Sequence, residues 1–97
     1  MKNFVDFLSD YIEDLKKKYE EKSRYYSDTW DKYGSRGIYI HLSKKVNHIH
    51  KWLWEENTLN EELVDSMEDL VLYALNMVRL AKDELEERKK ENERKVL

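Results

Sequence analysis

The chain has 97 residues with no cysteine, no proline and two glycines, which allows one domain but not two separate cores. Hydrophobic residues are 40% of the chain and charged residues another 40%, so a core can form and general disorder is excluded. The lack of cysteine rules out disulfides and thiolate chemistry and argues against structural zinc. A net charge of -3 argues against a basic nucleic-acid-binding protein.

The amino-terminal sequence carries charge where a targeting signal would be apolar. Asp6 and Asp10 interrupt this stretch, and no apolar run in the chain approaches the roughly 18 residues that a membrane helix needs. We therefore predict a cytoplasmic protein with no membrane partner.

The first predicted element is an amphipathic helix that begins after Asn3. Its apolar residues recur at steps of three and four, as helical periodicity requires: Phe4, Leu8, Tyr11, Ile12, Leu15 and Tyr19. The run from Lys16 to Lys18 lies on the polar side, and we predict that it is solvated.

A loop rich in aromatic residues is predicted next, from about 23 to 37. It contains both glycines, three tyrosines and a tryptophan, and rings on a loop should be packed or bound to something. Two interpretations are open for Trp30 and Tyr33. They stack on a nucleobase, or they close the open end of a short helical bundle.

A second helix is predicted from about Ile38 to Glu56. Its core stripe is formed by Ile38, Leu42, Val46, Ile49 and Leu53. At 3.6 residues per turn a second stripe lies beside the core, made of His41, Lys45, His48 and Trp52. Side chains at such a rim reach both solvent and a cleft. His48 beside Lys45 is either a phosphate contact or an ordinary rim histidine.

The third predicted helix begins at a capping box formed by Thr58 and Glu61. Between residues 70 and 80 it is apolar on nearly all sides, since Leu72, Tyr73 and Leu75 lie off its main stripe. Two partner helices can hardly cover such a segment, so we predict burial in a homo-oligomer, most simply a dimer. From about residue 82 the chain is a charged helical tail. The prediction is thus one all-α domain over 1–97, a small bundle of three main helices completed by oligomerisation.

Three acidic residues follow one face of the third helix at four-residue spacing. Glu61, Asp65 and Asp69 repel one another unless something neutralises them. Mg²⁺ held by an adjacent pair would do so, since it prefers one or two carboxylates together with phosphate oxygens. An ordinary solvated helix face is the alternative interpretation.

The stretch from Lys22 to Ile49 resembles the nucleotide-modification-associated domain found in many phages. That family has a lysine, then D-Y-G-[DN]-S-W, a glycine-bearing turn and a helix G-[IA]-[FY]-x-x-L-x-x-K-x-x-R, followed later by D-T-x-x-D-L-x-x-Y-A. The positions on the pattern are Lys22, Tyr26, Asp28, Trp30, Gly37, Leu42, Lys45, Asp65, Asp69, Leu70, Tyr73 and Ala74. Tyr25, Ser27 and His48 depart from it, the last standing where members have the arginine.

The resemblance implies an all-helical nucleotide-binding fold, reminiscent of the MazG-like pyrophosphohydrolases that hold Mg²⁺ on a nucleotide triphosphate. It implies a viral protein acting in the host cytoplasm on nucleotides or deoxynucleotides. The predicted contacts to substrate are Lys22, Tyr26, Trp30, Lys45, His48 and Tyr73, and the predicted metal ligands are Glu61, Asp65 and Asp69. His48 and Glu61 are included for their place on the helices, since neither falls on the family pattern. The E-E-x-x-E element of those enzymes is incomplete here, because Leu59 follows Glu55 and Glu56 in place of a third glutamate.

Two functions follow as hypotheses. The first is a nucleotide-binding domain which, if it is an enzyme, is a Mg²⁺-dependent nucleotide hydrolase of the pyrophosphohydrolase type. The second is a non-enzymatic interaction protein, a viral adaptor or inhibitor that keeps the scaffold and binds a host protein.

Overall fold

Three α-helices and one π-helical turn account for nearly all of residues 2–96 in the computed structural model. The structure describes the backbone of these residues, and the side chains of 2–23 and 32–95. The helices are α1, Phe4–Lys32; α2, Gly34–Ile49; and α3, Glu61–Val96. The π-helical turn, His50–Glu55, continues α2. The all-α prediction is confirmed, and within the described part of the chain no helix is long and apolar enough to cross a membrane.

Helix α1 begins where the sequence predicts. The side-chain oxygen of Asn3 accepts a hydrogen bond from the backbone N–H of Asp6 at 2.9 Å, which satisfies one of the free donors of the first turn.

The predicted loop over 23–37 is wrong, because α1 continues to Lys32 and Gly34 begins α2. Between residues 23 and 33 there is no glycine or proline to end a helix. The break comes at Gly34, whose φ of +67° lies in the left-handed region that glycine adopts without steric cost. A tight corner therefore replaces the loop.

The corner is held by a carboxylate from α3. Ser35 donates to Glu84 from its backbone N–H at 3.2 Å and from its hydroxyl at 2.5 Å. These bonds satisfy donors of the first turn of α2 and place a negative charge at its positive end. The Ser35 hydroxyl bond is the main reason that the pKa of Glu84 is lowered below its ordinary value.

The capping box predicted at the start of α3 is also wrong. Asn60 caps this helix, with its side-chain oxygen accepting from the N–H of Leu63 at 2.8 Å. The Thr58 hydroxyl points to the carbonyl of Glu56 instead. Asn57, with φ of +50°, ends the π-helical turn and sets the direction in which the chain enters α3. Asparagine is a stronger N-cap than threonine, so residue preference agrees with Asn60, and only the capping-box spacing pointed to Thr58.

The core lies where α1 and α2 meet the middle of α3. The buried apolar side chains in the described part of the chain are Leu15, Ile38, Leu63, Leu72 and Tyr73. Four of them, Leu15, Ile38, Leu72 and Tyr73, form one cluster, and the partly buried residues packed against it are Tyr11, Tyr19, Leu42, Met77 and Leu80. The bundle is elongated, 56 Å along its longest axis, because α3 extends beyond its partners.

Candidate functional site

Three lysines from two helices converge on the acidic face of α3. Lys18 and Lys22 lie one turn apart on α1, and Asp65 and Asp69 lie one turn apart on α3. Lys18 contacts Asp65 at 2.5 Å and Glu68 at 3.3 Å, and Lys22 contacts Asp69 at 3.1 Å. Two lysines on α1 and two aspartates on α3 have the same four-residue spacing, and they therefore form ion pairs between the two helices.

Asp69 is the centre of this cluster. Its side chain is 8% exposed, and its oxygens face the Nζ atoms of Lys22 at 3.1 Å, Lys45 at 3.3 Å and Lys18 at 3.6 Å. A buried carboxylate is tolerated only when it is paired, and here ammonium groups from α1 and α2 supply the pairing.

Asp65 lies at the open edge of the cluster, with 53% of its side chain exposed. The hydrogen bond from Lys18 is the largest cause that lowers the pKa of Asp65. Partial burial raises this pKa, but the charges of Lys18 and Lys22 lower it further. This carboxylate is ionised at neutral pH.

The structure thus places two of the three predicted metal ligands together and surrounds them with cations. Glu61, one turn before Asp65, is exposed in the first turn of α3. Among the described residues, no group of three or more histidines and carboxylates is arranged to hold a metal ion. Mg²⁺ would have to displace ammonium groups from Asp69, so the present donor set fits it poorly. The lysines already provide the neutralisation expected from a metal.

A cationic cavity opens beside Asp69 between α2 and α3. It has a volume of about 280 Å³ and is lined by His41, Lys44, Lys45, His48 and Tyr73. Its lining therefore contains two ammonium groups, two imidazoles and a phenol. The predicted residues Lys45, His48 and Tyr73 meet in this cavity, and Lys22 lies on the other side of Asp69.

Rings stand at both ends of the cavity. His41 and Tyr73 are stacked with ring centroids 6.0 Å apart, and His48 packs against Trp52 at 4.8 Å. Three residues of the predicted rim stripe, His41, Lys45 and His48, therefore line one cavity, and Trp52 packs against the last of them. Trp52 belongs to the π-helical turn, whose wider winding continues the stripe past Ile49.

A second cavity shares His41 as a wall. It has a volume of about 490 Å³ and is lined by Tyr33, Arg36, Gly37, Ile40 and His41. This cavity is mostly apolar, with one guanidinium group. Gly37 lets the wall close against the start of α2, because a Cβ at that position would approach the Cβ of Tyr33 to 2.6 Å.

Several residues of this region were missed from the sequence. Lys18 was assigned to a solvated run, although its four-residue spacing to Lys22 matches the spacing of Asp65 and Asp69. Arg36 and Lys44 gave no signal in the sequence, because only the packing of α2 on α3 brings them to the cavities. The predicted base-stacking residues Tyr26 and Trp30 lie outside the described side chains.

The comparisons with known proteins add no relative: no family model, no curated protein and no solved structure matches the chain. The resemblance to the phage domain stays a prediction.

Proposed function

We propose that this chain is a nucleotide-binding domain that takes the phosphates in the cationic cavity and the base in the neighbouring apolar cavity. The observation that carries the proposal is the lining of the 280 Å³ cavity by Lys44, Lys45, His41, His48 and Tyr73. Ammonium and imidazole donors are well suited to phosphate oxygens, and no carboxylate is among these lining residues.

The volumes and lining residues of the two cavities indicate which part of the ligand binds in each. Specific small-molecule sites range from about 300 to 1,000 Å³, so the cationic cavity alone is small for a whole nucleotide. The second cavity offers the ring of Tyr33, the guanidinium of Arg36 and the apolar side chain of Ile40. An aromatic face and a planar cation both stack on nucleobases. His41 lies in both linings, at the position where the sugar joins the two parts.

Helix α2 orders these groups along one face. Gly37, His41, Lys44 or Lys45, and His48 follow one another at steps of three or four residues. From Gly37 to His48 this face is about 16 Å long at 1.5 Å per residue. That length suits an extended ligand whose base and terminal phosphate bind at opposite ends.

The test is thermal unfolding with a panel of ribonucleotides, deoxynucleotides and pyrophosphate, each with and without Mg²⁺. A ligand at about 100 times its Kd stabilises a fold by roughly 2.7 kcal/mol, a shift of several degrees for a chain of this size. We expect nucleotides to give this shift and pyrophosphate to give a smaller one. A flat panel with folded protein would remove the proposal.

A double variant makes the test specific. Lys44→Gln with His48→Gln removes two cavity groups, and we expect it to abolish the nucleotide shift while leaving the helix content unchanged. Lys51→Gln is the matched control, because Lys51 is an exposed lysine of the following turn and is not among the cavity lining. If both variants weaken binding equally, the interaction is general charge attraction.

Whether the domain also hydrolyses the nucleotide is tested separately from binding. Release of pyrophosphate from the nucleotide that binds best, measured with and without Mg²⁺, decides whether the domain is also a hydrolase. The measurement with Mg²⁺ also tests metal binding by Asp65 and Glu61, the more exposed of the predicted metal ligands.

One observation favours the interaction-protein hypothesis as a second candidate. The first three turns of α1 expose a stripe of Phe4, Leu8 and Ile12, with Phe7 beside it. Exposed apolar patches of this kind mark protein-binding sites. A flat nucleotide panel together with binding of a host protein that is lost in Leu8→Glu would establish this function in place of the first.

A further inference from the structure

The side of α3 that faces away from α1 and α2 is apolar. Val64, Val71, Val78 and Leu85 follow it at intervals of seven residues, and each is between 42% and 53% exposed. Leu75 lies at the edge of this side, where it also lines a cavity with Tyr19 of α1, and it is 57% exposed. An isolated bundle with such a face is less stable than one in which the face is covered, because apolar area remains in contact with water.

The seven-residue interval is that of a coiled coil. With the four residues above at position a of a heptad, the d positions are Met67, Ala74 and Ala81. Apolar a and d positions kept over three heptads or more are typical of a helix that packs along another helix. The seam from Val64 to Leu85 is about 32 Å long at 1.5 Å per residue.

The accessible surface area of the chain also indicates that a partner covers part of it. It is 8149 Å², whereas a folded monomer of 11.9 kDa exposes about 5,900 Å². The free end of α3 accounts for part of the excess of about 2,200 Å². The exposed apolar stripe of α1 accounts for another part, and the whole excess is larger than the roughly 800 Å² that each partner contributes to a stable interface.

We propose that this face binds a second copy of the chain, with the two α3 helices packed antiparallel about a twofold axis near Leu75 and Asn76. In that register Val71 lies opposite Ala81 of the partner subunit, and Ala74 opposite Val78 of the partner subunit. Each layer then combines a large side chain with a small one, which fills the space between the helices evenly.

Charge supports the same register. Glu68 and Lys82 each lie seven residues from Leu75, on opposite sides of it. The antiparallel arrangement places Glu68, which also contacts Lys18 of its own chain at 3.3 Å, next to Lys82 of the partner subunit at both ends of the seam. The interface is isologous, so the second pair forms by symmetry. The cationic cavity lies on the α2 side of α3, away from this seam, so nucleotide binding and dimerisation are tested independently.

The orientation is tested with single cysteines, which report cleanly because the natural chain has none. Leu75→Cys places two thiols beside the axis, and we expect efficient linking by a short bis-maleimide. Val64→Cys places them about 35 Å apart along the helices, so no linking is expected. Efficient linking through Val64→Cys would overturn the antiparallel arrangement.

The surface itself is tested by sedimentation equilibrium of the full chain. We expect the natural chain to have twice its mass of 11.9 kDa and Val78→Glu to return it to that single mass with its helical circular dichroism retained. Ile12→Glu, on the exposed stripe of α1, is the matched control and should stay dimeric. A monomeric natural chain, or dissociation by Ile12→Glu alone, would overturn the proposal.

Discussion

Lys45 on α2 and Asp69 on α3 lie 3.3 Å apart, and the other oxygen of Asp69 lies 3.1 Å from Lys22 on α1. One buried carboxylate therefore joins all three helices. The same contact fixes Lys45 at the wall of the cationic cavity, so the stability of the bundle and the geometry of the candidate site depend on one side chain.

The first prediction concerns this carboxylate. Asp69→Asn leaves three ammonium groups around a neutral side chain, and we expect a loss of about 2 kcal/mol. The loss is below that of a fully buried pair because the lysines can turn partly to solvent. Thermal unfolding should show a fall in Tm of roughly 8 to 16 °C.

Asp65→Asn is the control for this experiment. Its side chain is more than half exposed, and exposed ion pairs contribute about 1 kcal/mol or less. An equal effect of the two substitutions, or a gain in stability in Asp69→Asn, would show that the lysines do not balance the acidic face.

The second prediction concerns acid stability. The pKa values of Glu84 and Asp65 are lowered in the folded chain, by the bonds from Ser35 and Lys18 respectively. Groups of this kind stabilise the fold above their unfolded pKa, near 4, and the contribution is lost as pH falls through the lower folded pKa. We expect Tm to be level near neutrality and to fall below about pH 4.5.

The contribution of the corner is isolated by Glu84→Gln. This variant should have a lower Tm than the natural chain at pH 7 and a smaller difference at pH 3, where the carboxylate is protonated. Parallel Tm curves over the whole range would mean that the ionised form of Glu84 has no part in holding Ser35.

The third prediction concerns the corner between α1 and α2. Gly34→Ala places a Cβ on a residue with φ of +67°, and that atom would approach Oε1 of Glu84 to 2.5 Å. We expect a loss of about 1 to 2 kcal/mol in the free energy of unfolding, measured with urea. Gly34→Asn is the control, because asparagine tolerates the left-handed region better. Equal losses would assign the effect to the contact with Glu84 instead of the backbone.

The fourth prediction separates the two cavities. Arg36→Gln alters the apolar cavity and leaves the cationic one intact, since Arg36 does not line the latter. Titration calorimetry should show nucleotide affinity reduced about three- to tenfold, as expected for the loss of one stacked cation worth about 1 kcal/mol. Pyrophosphate affinity should be unchanged. Reduced affinity for both ligands would place the phosphates next to Arg36 and contradict the assignment of the base.

Helix periodicity accounts for the placement of three residues that line the cationic cavity. The stripe of His41, Lys45 and His48 depends only on 3.6 residues per turn, and the structure keeps these residues on one wall. The pairing of Lys18 and Lys22 with Asp65 and Asp69 was not predicted. Each pair is local and visible in the sequence, but which helix faces the acidic residues is a property of packing.

The sequence by itself determined the all-α class and the start of α1 at Asn3, because these follow from local spacing and capping. It did not determine which apolar residues are buried: Val46 and Leu53 of the predicted core stripe are exposed, and Leu72 and Tyr73, off the predicted stripe of the third helix, are buried. Tertiary structure decided what lies against each stripe. It brought Glu84 to the corner at Gly34, since Ser35 and Glu84 meet only when α3 packs beside the start of α2. The corner itself has a local cause, because no glycine or proline between residues 23 and 33 ends α1 earlier. Tertiary structure also set ammonium groups against the acidic face where a metal was expected, because contacts between residues nearly 50 positions apart depend on how the helices cross.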